Sequence, residues 1–442
     1  MKKCRLIALL LTCSMLTACG GGSRTLVPPE VEPTEQVTET TEPVVHEPQM
    51  LEEPIVVKPL EVNDETAVWE FSHRMLQENI NETNPVLSPV SAYLALGMVG
   101  LGAKGDTLAE FETTMGQGMQ NTAAALMRVI PTWMTANAAT DTAEEMKIAP
   151  LTVANSAWVD DTMNPEEAWL TEVNSIYNAE IYQGVLSSEG TKKDINKWGE
   201  NKTHSLIKEF LSEPLDTETK MALFNTIYFK GKWTSEFEST GTYKEDFTTT
   251  DGTVKSVDMM HDYGRYEFYV KNDNLDGVVM DYRNGSMAMV ELKPTAGQTV
   301  REMYESLTYE ELAALLDSGK VANINLKLPK FEVEFDKKLN ETLQNMGIKL
   351  AFDSEQADFT GLGVTDNDIP LYISLVRQKA VVKLDEEGTE AAAVTMVVMN
   401  ECASAETMKK PIDVFFDEPF LYMIMDMDSK TPLFMGIMDD PS

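Results

Sequence analysis

The sequence predicts an α+β fold over residues 63–442, and three observations carry that reading. Helical patterns come first, over 67–79, 91–100 and 105–115. Beyond about residue 220 the pattern changes to strands, led by the apolar run Leu223–Phe229, and helix and strand then interleave. No Pro-rich or Gly-rich linker and no fixed-period repeat interrupts residues 63–442, which indicates one domain.

The chain opens with Lys2, Lys3 and Arg5, the apolar run Leu6–Leu11, and Leu16-Thr17-Ala18-Cys19. This is the order of an export signal, and its apolar stretch is too short to span a bilayer. Because the box ends at a cysteine, the segment resembles the bacterial lipoprotein signal. That resemblance implies removal of residues 1–18, lipidation of Cys19 and attachment to the bacterial cell envelope at the outer membrane, with acyl chains as the only membrane contact. Gly20, Gly21 and Gly22 add no acidic sorting cluster, so the periplasmic and surface faces stay open.

Residues 20–62 hold seven of the 20 prolines, nine acids and two bases, Arg24 and Lys58. With no apolar period, the segment reads as a self-repelling, disordered tether. At roughly 3 Å per residue it reaches on the order of 100 Å.

The whole chain carries a net charge of −36. Such an acid excess speaks against nucleic acid or an anionic lipid surface as partner. Of four cysteines, Cys4 and Cys13 leave with the signal and Cys19 takes the lipid. Only Cys402 remains, so no disulfide framework supports the domain and its own core must.

Within the domain, Ser88-Pro89 before Ser91 marks a helix start, because proline fits the first turn where its missing N–H is not needed. Leu223–Phe229 is apolar on both faces and reads as a central strand of a large sheet. Residues 281–290 form a hairpin around Asn284-Gly285. Ile324–Phe335 and Leu371–Leu384 read as further strands, with a helix over Lys338–Met346 between them.

Gly100-Leu101-Gly102-Ala103-Lys104-Gly105 spells G-x-G-x-x-G, but it follows a helix, and a phosphate would have no strand-to-helix crevice there. His46, His73, His204 and His261 lack the spacing of a metal site, and no Gly-x-Ser-x-Gly elbow is present. The residues thus call for no cofactor and no metal, and nothing in them points to an enzyme. Glu386 to Ala393, Glu-Glu-Gly-Thr-Glu-Ala-Ala-Ala, is different: small side chains behind Gly388 suit a segment that is solvated in one state and packed in another.

With that loop in view, residues 63–442 resemble the serpin family. The matching segments are Asn84–Ser91, Leu101–Gly105, Asn225–Trp233, Leu328–Phe331, Ala357–Gly361, Glu386–Ala393 and Pro432–Gly436, all in the family's order. The resemblance implies helices packed around a large central sheet with smaller sheets beside it, and an exposed reactive loop near the C-terminus. It further implies a monomeric suicide substrate: a protease cuts the loop, and the hinge inserts as a new central strand while the acyl-enzyme persists. Loop insertion of this kind is a standard example for the family.

Residue by residue, Glu386, Gly388, Thr389, Ala391, Ala392 and Ala393 correspond to the hinge. Ser88, Ser91 and Asn225 correspond to the shutter beneath the opening strands, and Trp233 and Glu386 to the breach where insertion starts. Gln378 stands where the family usually has histidine, and it cannot titrate. Ser205-Leu206 stands where a Gly-Lys pair is expected.

Counting from Glu386 places the cut after Cys402, or after Glu401 if the loop carries a one-residue gap, so the reactive bond falls among Glu401, Cys402 and Ala403. Counting back from Phe416–Phe420 points instead to Met408. With the cut after Cys402, Thr389, Ala391, Ala393, Thr395, Val397 and Met399 face inwards after insertion, and none is charged. A cut after Lys409 would leave about seven residues of slack, roughly 20 Å. The targets this implies are elastase-like, subtilisin-like, glutamyl-specific or papain-like proteases. The competing reading is a non-inhibitory binding or surface-interaction module.

Overall fold

Pro89 opens a helix that runs to Gly100 and is buried along nearly its whole length, and the rest of the molecule is built around it. The computed structural model describes residues 44–45, 62–133, 151–283, 285–295, 297–365, 370–389 and 410–442. In chain order the elements are β1 (Val44–Val45), α1 (Val62–Gln77), β2 (Val86–Leu87), α2 (Pro89–Gly100), α3 (Gly105–Met115) and α4 (Met119–Trp133). They continue with β3 (Leu151–Asp160), β4 (Met163–Pro165), α5 (Glu167–Tyr177), β5 (Glu180–Gly184), α6 (Glu189–Lys202), β6 (Met221–Phe229) and β7 (Gly231–Lys232). Next are β8 (Thr242–Thr248), β9 (Val254–Lys271), β10 (Leu275–Asp281), β11 (Met287–Pro294), α7 (Val300–Ser306) and α8 (Tyr309–Asp317). The last are β12 (Lys320–Pro329), β13 (Phe331–Lys338), α9 (Asn340–Met346), β14 (Gly363–Thr365), β15 (Arg377–Leu384), β16 (Gly388–Thr389), β17 (Ile412–Phe415), β18 (Phe420–Asp426) and β19 (Thr431–Met438).

The expected helices occur, α3 with the expected bounds and α1, α2 and α9 displaced by a few residues. Several strand expectations change. Ile324–Phe335 is two strands, broken at Lys330, whose N–H still donates to Asp258 O at 2.8 Å before the chain leaves β9. β12 stays in a nine-stranded sheet of order β17-β12-β9-β10-β11-β18-β19-β2, with β8 paired to β9, while β13 joins β15 in a different sheet. The 281–290 hairpin is wider than a two-residue turn, since Asp281 pairs with Ala288; Asn284 lies outside the described residues. Only Arg377–Leu384 of the expected 371–384 strand is laddered, to β13 on one side. The early half of the domain is less helical than its pattern suggests, because β3 lies there.

The central sheet consists of two four-stranded parts, β1-β5-β3-β6 and β13-β15-β16-β7. Its inner face packs on α2 and on the nine-stranded sheet, enclosing one core rich in Met, Tyr and Phe. Trp158, Ile195, Trp198 and Leu211 form a second cluster, in which α6 lies against β3 and β6. The tether contributes one element: Val44 and Val45 pair with Gln183 and Tyr182 on the outer edge of β5. An edge strand is thereby covered by chain expected to be fully solvated.

Gly100 and Gly102 serve close packing, and Gly105 takes φ +53° at the start of α3. A Cβ on Gly102 would stand 2.2 Å from the Leu362 side chain, and the Gly102 carbonyl accepts from Gly361 N at 3.0 Å. This loop leads from one helix to the next and holds no strand-to-helix crevice.

After α6 the chain turns through His204 and Ser205, with φ of +50° and +67°. Ser205 is a position where the family pattern has glycine, and a left-handed serine costs roughly 1–2 kcal/mol. Part of that cost is offset because glycine loses more chain entropy on folding. Ser205→Gly is therefore expected to stabilise the native state by about 0.5–1 kcal/mol, read as a higher urea midpoint; an unchanged or lower midpoint would count against the strain.

Candidate functional site: the hinge and the gap below it

β6 and β15 border a gap. Strand β16 pairs antiparallel with β15 through Leu384↔Thr389 and with β7 through Gly388↔Lys232 and Thr389↔Gly231. β7 and β15 are therefore parallel to each other with a two-residue strand between them. Below that strand, no ladder joins β6 to β15 among the described residues. The sequence placed Leu223–Phe229 inside a sheet; among the described residues its edge towards β15 has no ladder. Leu371–Val376 lies beyond the end of β13 at Lys338, where Ile373 N donates to Ala351 O at 2.7 Å and Val376 O accepts from Leu339 N at 2.8 Å.

The gap widens at its lower end into a cavity of about 290 Å³. Leu96 and Val99 of α2, Met221 and Leu223 of β6, and Leu371 and Ile373 line it.

Beneath the gap, the first turn of α2 holds both borders. Ser91 Oγ donates to Asn225 Oδ1 of β6. Asn225 Nδ2 donates to Asn155 Oδ1 on β3 at 2.5 Å, and Asn155 Nδ2 to the Tyr177 carbonyl at 2.7 Å. On the other border, Gln378 of β15 holds the backbone of Ser88 twice, Nε2 donating to Ser88 O at 2.7 Å and Oε1 accepting from Ser88 N at 3.1 Å. Ser88 occupies the N-cap position but caps nothing; its hydroxyl donates to Leu433 O at 2.8 Å. Ser88, Ser91, Asn225 and Gln378 thus meet as one group, and Asn155 and Tyr177 extend it.

At the top, Gly388 has φ +154°, and a Cβ there would lie 2.0 Å from Gly231 O. Only glycine lets the two backbones approach this closely. Thr389 is 4% exposed, and its hydroxyl shares a 2.6 Å hydrogen bond with Tyr282 OH. Trp233, fully buried, stacks on Tyr282 at 4.6 Å and 13°. Its Nε1 donates to Asp385 O at 3.0 Å and its backbone N to Glu387 O at 2.9 Å. Trp233 thus grips the backbone on either side of Glu386, while Phe237 N donates to Glu386 O at 2.9 Å.

The Glu386 carboxylate accepts from Lys330 Nζ at 2.6 Å and from Thr242 Oγ1 at 2.7 Å. Burial pushes this carboxyl up, but those hydrogen bonds outweigh it and hold it below the usual range. Tyr282, Lys330 and Asn155 were given no role in the sequence, because their hydrogen bonds to Thr389, Glu386 and Asn225 span 107, 56 and 70 residues. Ala391, Ala392, Ala393, Glu401, Cys402, Ala403 and Cys19 lie outside the described residues.

Among the described residues no group of three His, Cys, Asp or Glu side chains is placed to hold a metal. His73 is spent on Tyr304 O at 2.7 Å and stacks on that ring.

A family model described as serpin, serine protease inhibitor, matches residues 66–441. The chain is a serpin. It is 32% identical over 385 residues to alpha-1-antitrypsin of Meriones unguiculatus, covering 84% of this chain and 87% of the relative. Among solved structures it is similar to tengpin, a thermophilic serpin, at 28% identity, with a TM-score of 0.77 for the native state over 88% of this chain and 97% of tengpin. The TM-score to tengpin's latent state is 0.71. Human thyroxine-binding globulin, solved with its thyroxine, is also similar, at 25% identity and a TM-score of 0.73 over 86% of this chain and 99% of that one.

Proposed function

We propose that this serpin inhibits serine or cysteine endopeptidases as a suicide substrate, its cleaved loop entering the gap between β6 and β15. The observation that carries the reading is the two-sided pairing of Gly388 and Thr389. These residues already occupy the first two places of the missing strand.

The same register, continued downwards, brings Ala391 level with Phe229 and Val382, Ala393 with Ile227 and Ala380, and Thr395 with Asn225 and Gln378. Val397 then comes level with Leu223 and Val376, and Met399 with Met221 and Ser374. Gln378, Ala380, Val382 and Leu384 are the buried side of β15, so the partners level with them are the uncharged positions of the loop. Glu390 falls on the other face.

β6 begins at Met221. A strand from Thr389 to Cys402 therefore spans the gap, roughly 40 Å, with Cys402 level with Glu218 and Leu371 at its foot. That length supports cleavage after Glu401 or Cys402. Cleavage at Met408 would leave slack, and a protease not drawn tight keeps its oxyanion hole and completes hydrolysis. About a dozen new backbone hydrogen bonds at roughly 1 kcal/mol each supply the drive.

The test is to incubate the chain lacking residues 1–19 with elastase-like, subtilisin-like, glutamyl-specific and papain-like proteases and run denaturing gels. A complex that survives boiling is expected, and mass spectrometry of the released C-terminal peptide should start at Cys402 or Ala403. Clean cleavage without complex, at every ratio and with every protease, would sink inhibition and favour the binding-module reading. Release starting after Met408 would sink the register argument alone.

The leader supports a monomeric inhibitor held to the outer membrane of a bacterial envelope through lipid on Cys19. Cys19→Ala is expected to move the protein from the membrane to the soluble fraction; retention at the membrane would exclude this anchor.

A further inference from the structure

Glu291 lies mid-strand in β11, in the centre of the nine-stranded sheet, and is completely buried. Neither of its carboxyl oxygens has a hydrogen-bond partner. It shares its rung with Val278 on β10 and Tyr422 on β18, and the buried Tyr422 hydroxyl is likewise unpartnered. An ionised carboxylate in such a place, unpaired and dry, is strongly disfavoured against its protonated form.

The neighbours do not relieve it. Arg265 is the cation whose charge favours ionised Glu291, but its guanidinium is held by Glu267 at 2.7 Å and Asp262 at 3.3 Å, under the Phe237 ring. Glu267, itself mostly buried and pushed up by burial with Asp281 adding to it, repels a second charge. Two rungs along, Lys293 is spent on Phe415 O at 2.8 Å and Asp276 lies 3.4 Å from Lys271. Tyr422 of β18 and Tyr282, one residue past the end of β10, are both phenols kept neutral by burial. Helix α7 turns Val300, Met303 and Tyr304 inwards, with Arg301 on Asp439 at 2.7 Å and Glu302 on Thr299 at 2.8 Å. One guanidinium among three carboxyls leaves Glu291 as the one without a contact.

We propose that native protein carries Glu291 protonated and that its ionisation is a pH-operated control on native-state stability, built into the layer that supports the hinge. Tyr282, which holds Thr389, follows directly on β10, four residues along from Val278, the strand partner of Glu291. Burial, with Glu267 second, pushes the Glu291 carboxyl well above its usual range. A folded-state value above the unfolded one gives stability that is complete below about pH 4.3 and is lost as pH rises through the folded value. The native state should therefore weaken with rising pH over that window, opposite to the behaviour of a salt-bridged carboxylate. This does not rest on the inhibitory reading.

The test compares wild type, Glu291→Gln and Glu291→Leu in urea unfolding from pH 5 to 8. The amide and the leucine carry no proton, so the wild-type midpoint is expected to fall relative to both variants as pH rises. Parallel midpoints for all three across the range would overturn the proposal. Infrared spectroscopy of wild type at pH 7 gives an independent reading should Glu291→Gln fail to fold. A protonated-carboxyl band that disappears in Glu291→Leu is expected, and its absence from wild type would also overturn the proposal.

Discussion

Thr389→Arg is expected to abolish the covalent protease complex, lowering its yield more than tenfold while the protease still cuts the loop. Thr389 is the second residue of the strand that must form, buried and bonded to Tyr282 OH. An arginine there must enter between Trp233, Tyr282 and Phe229, where Trp233 stacks on Tyr282 at 4.6 Å and Phe229 meets that ring edge-on at 4.8 Å between centroids. Burying its charge unpaired costs several kcal/mol at the first step of insertion. Deacylation, which competes with insertion, then wins, and the gel should show cleaved serpin and free protease. The native fold should survive, since the two-residue strand can leave its place without opening the core; a thermal midpoint near that of wild type checks this. Thr389→Ser, which keeps the hydroxyl, should retain the complex. Equal complex from Thr389→Arg and wild type would remove the hinge from the mechanism.

Trp233→Ala should produce the largest loss of stability of any change at this site, about 3–5 kcal/mol. The indole is fully buried, stacks on Tyr282, and donates through Nε1 to Asp385 O, while the bond to Glu387 O comes from the main-chain N–H and survives the substitution. Removing the indole leaves a hole at the place where the two parts of the central sheet meet, and releases the backbone ahead of Glu386. A lower urea midpoint is expected together with easier proteolysis near residue 386. Trp233→Phe keeps much of the stacking and loses the Nε1 bond to Asp385, so an intermediate value is expected. A midpoint within 1 kcal/mol of wild type for Trp233→Ala would mean that Tyr282 and the glycines suffice to hold the top of the gap.

What could be read early was local. The three helices at the start of the domain follow from periodicity and from Pro89, and the hinge follows from a run of small side chains that no core explains. The split at Lys330 could not be read, because the chain keeps its bond to Asp258 there and passes to another sheet only in the fold. Nor could the break at 371–376, which depends on β13 ending at Lys338, so that this stretch bonds Ala351 and Asn340 in place of a ladder. The same holds for Leu223–Phe229, apolar on both faces although among the described residues one edge has no ladder. Val44 and Val45 lay hidden in an acidic, proline-rich stretch, too short a signal to stand out. Asn155, Tyr282 and Glu291 depend on partners distant in sequence. Glu291 in particular looked like one acid among 72, and its meaning comes only from the depth at which the fold puts it.

Lys330 is the single residue by which the chain crosses from the nine-stranded sheet to the central one, and its ammonium group grips Glu386. The link between two sheets and the ion pair on Glu386 therefore share one side chain. Lys330 is about one-third exposed, so this connection reaches the solvent and weakens as ionic strength rises. The hold on Glu386 is thus open to the salinity of the surroundings at one point, while the contacts made beside it by Trp233 and Tyr282 are buried and shielded from it.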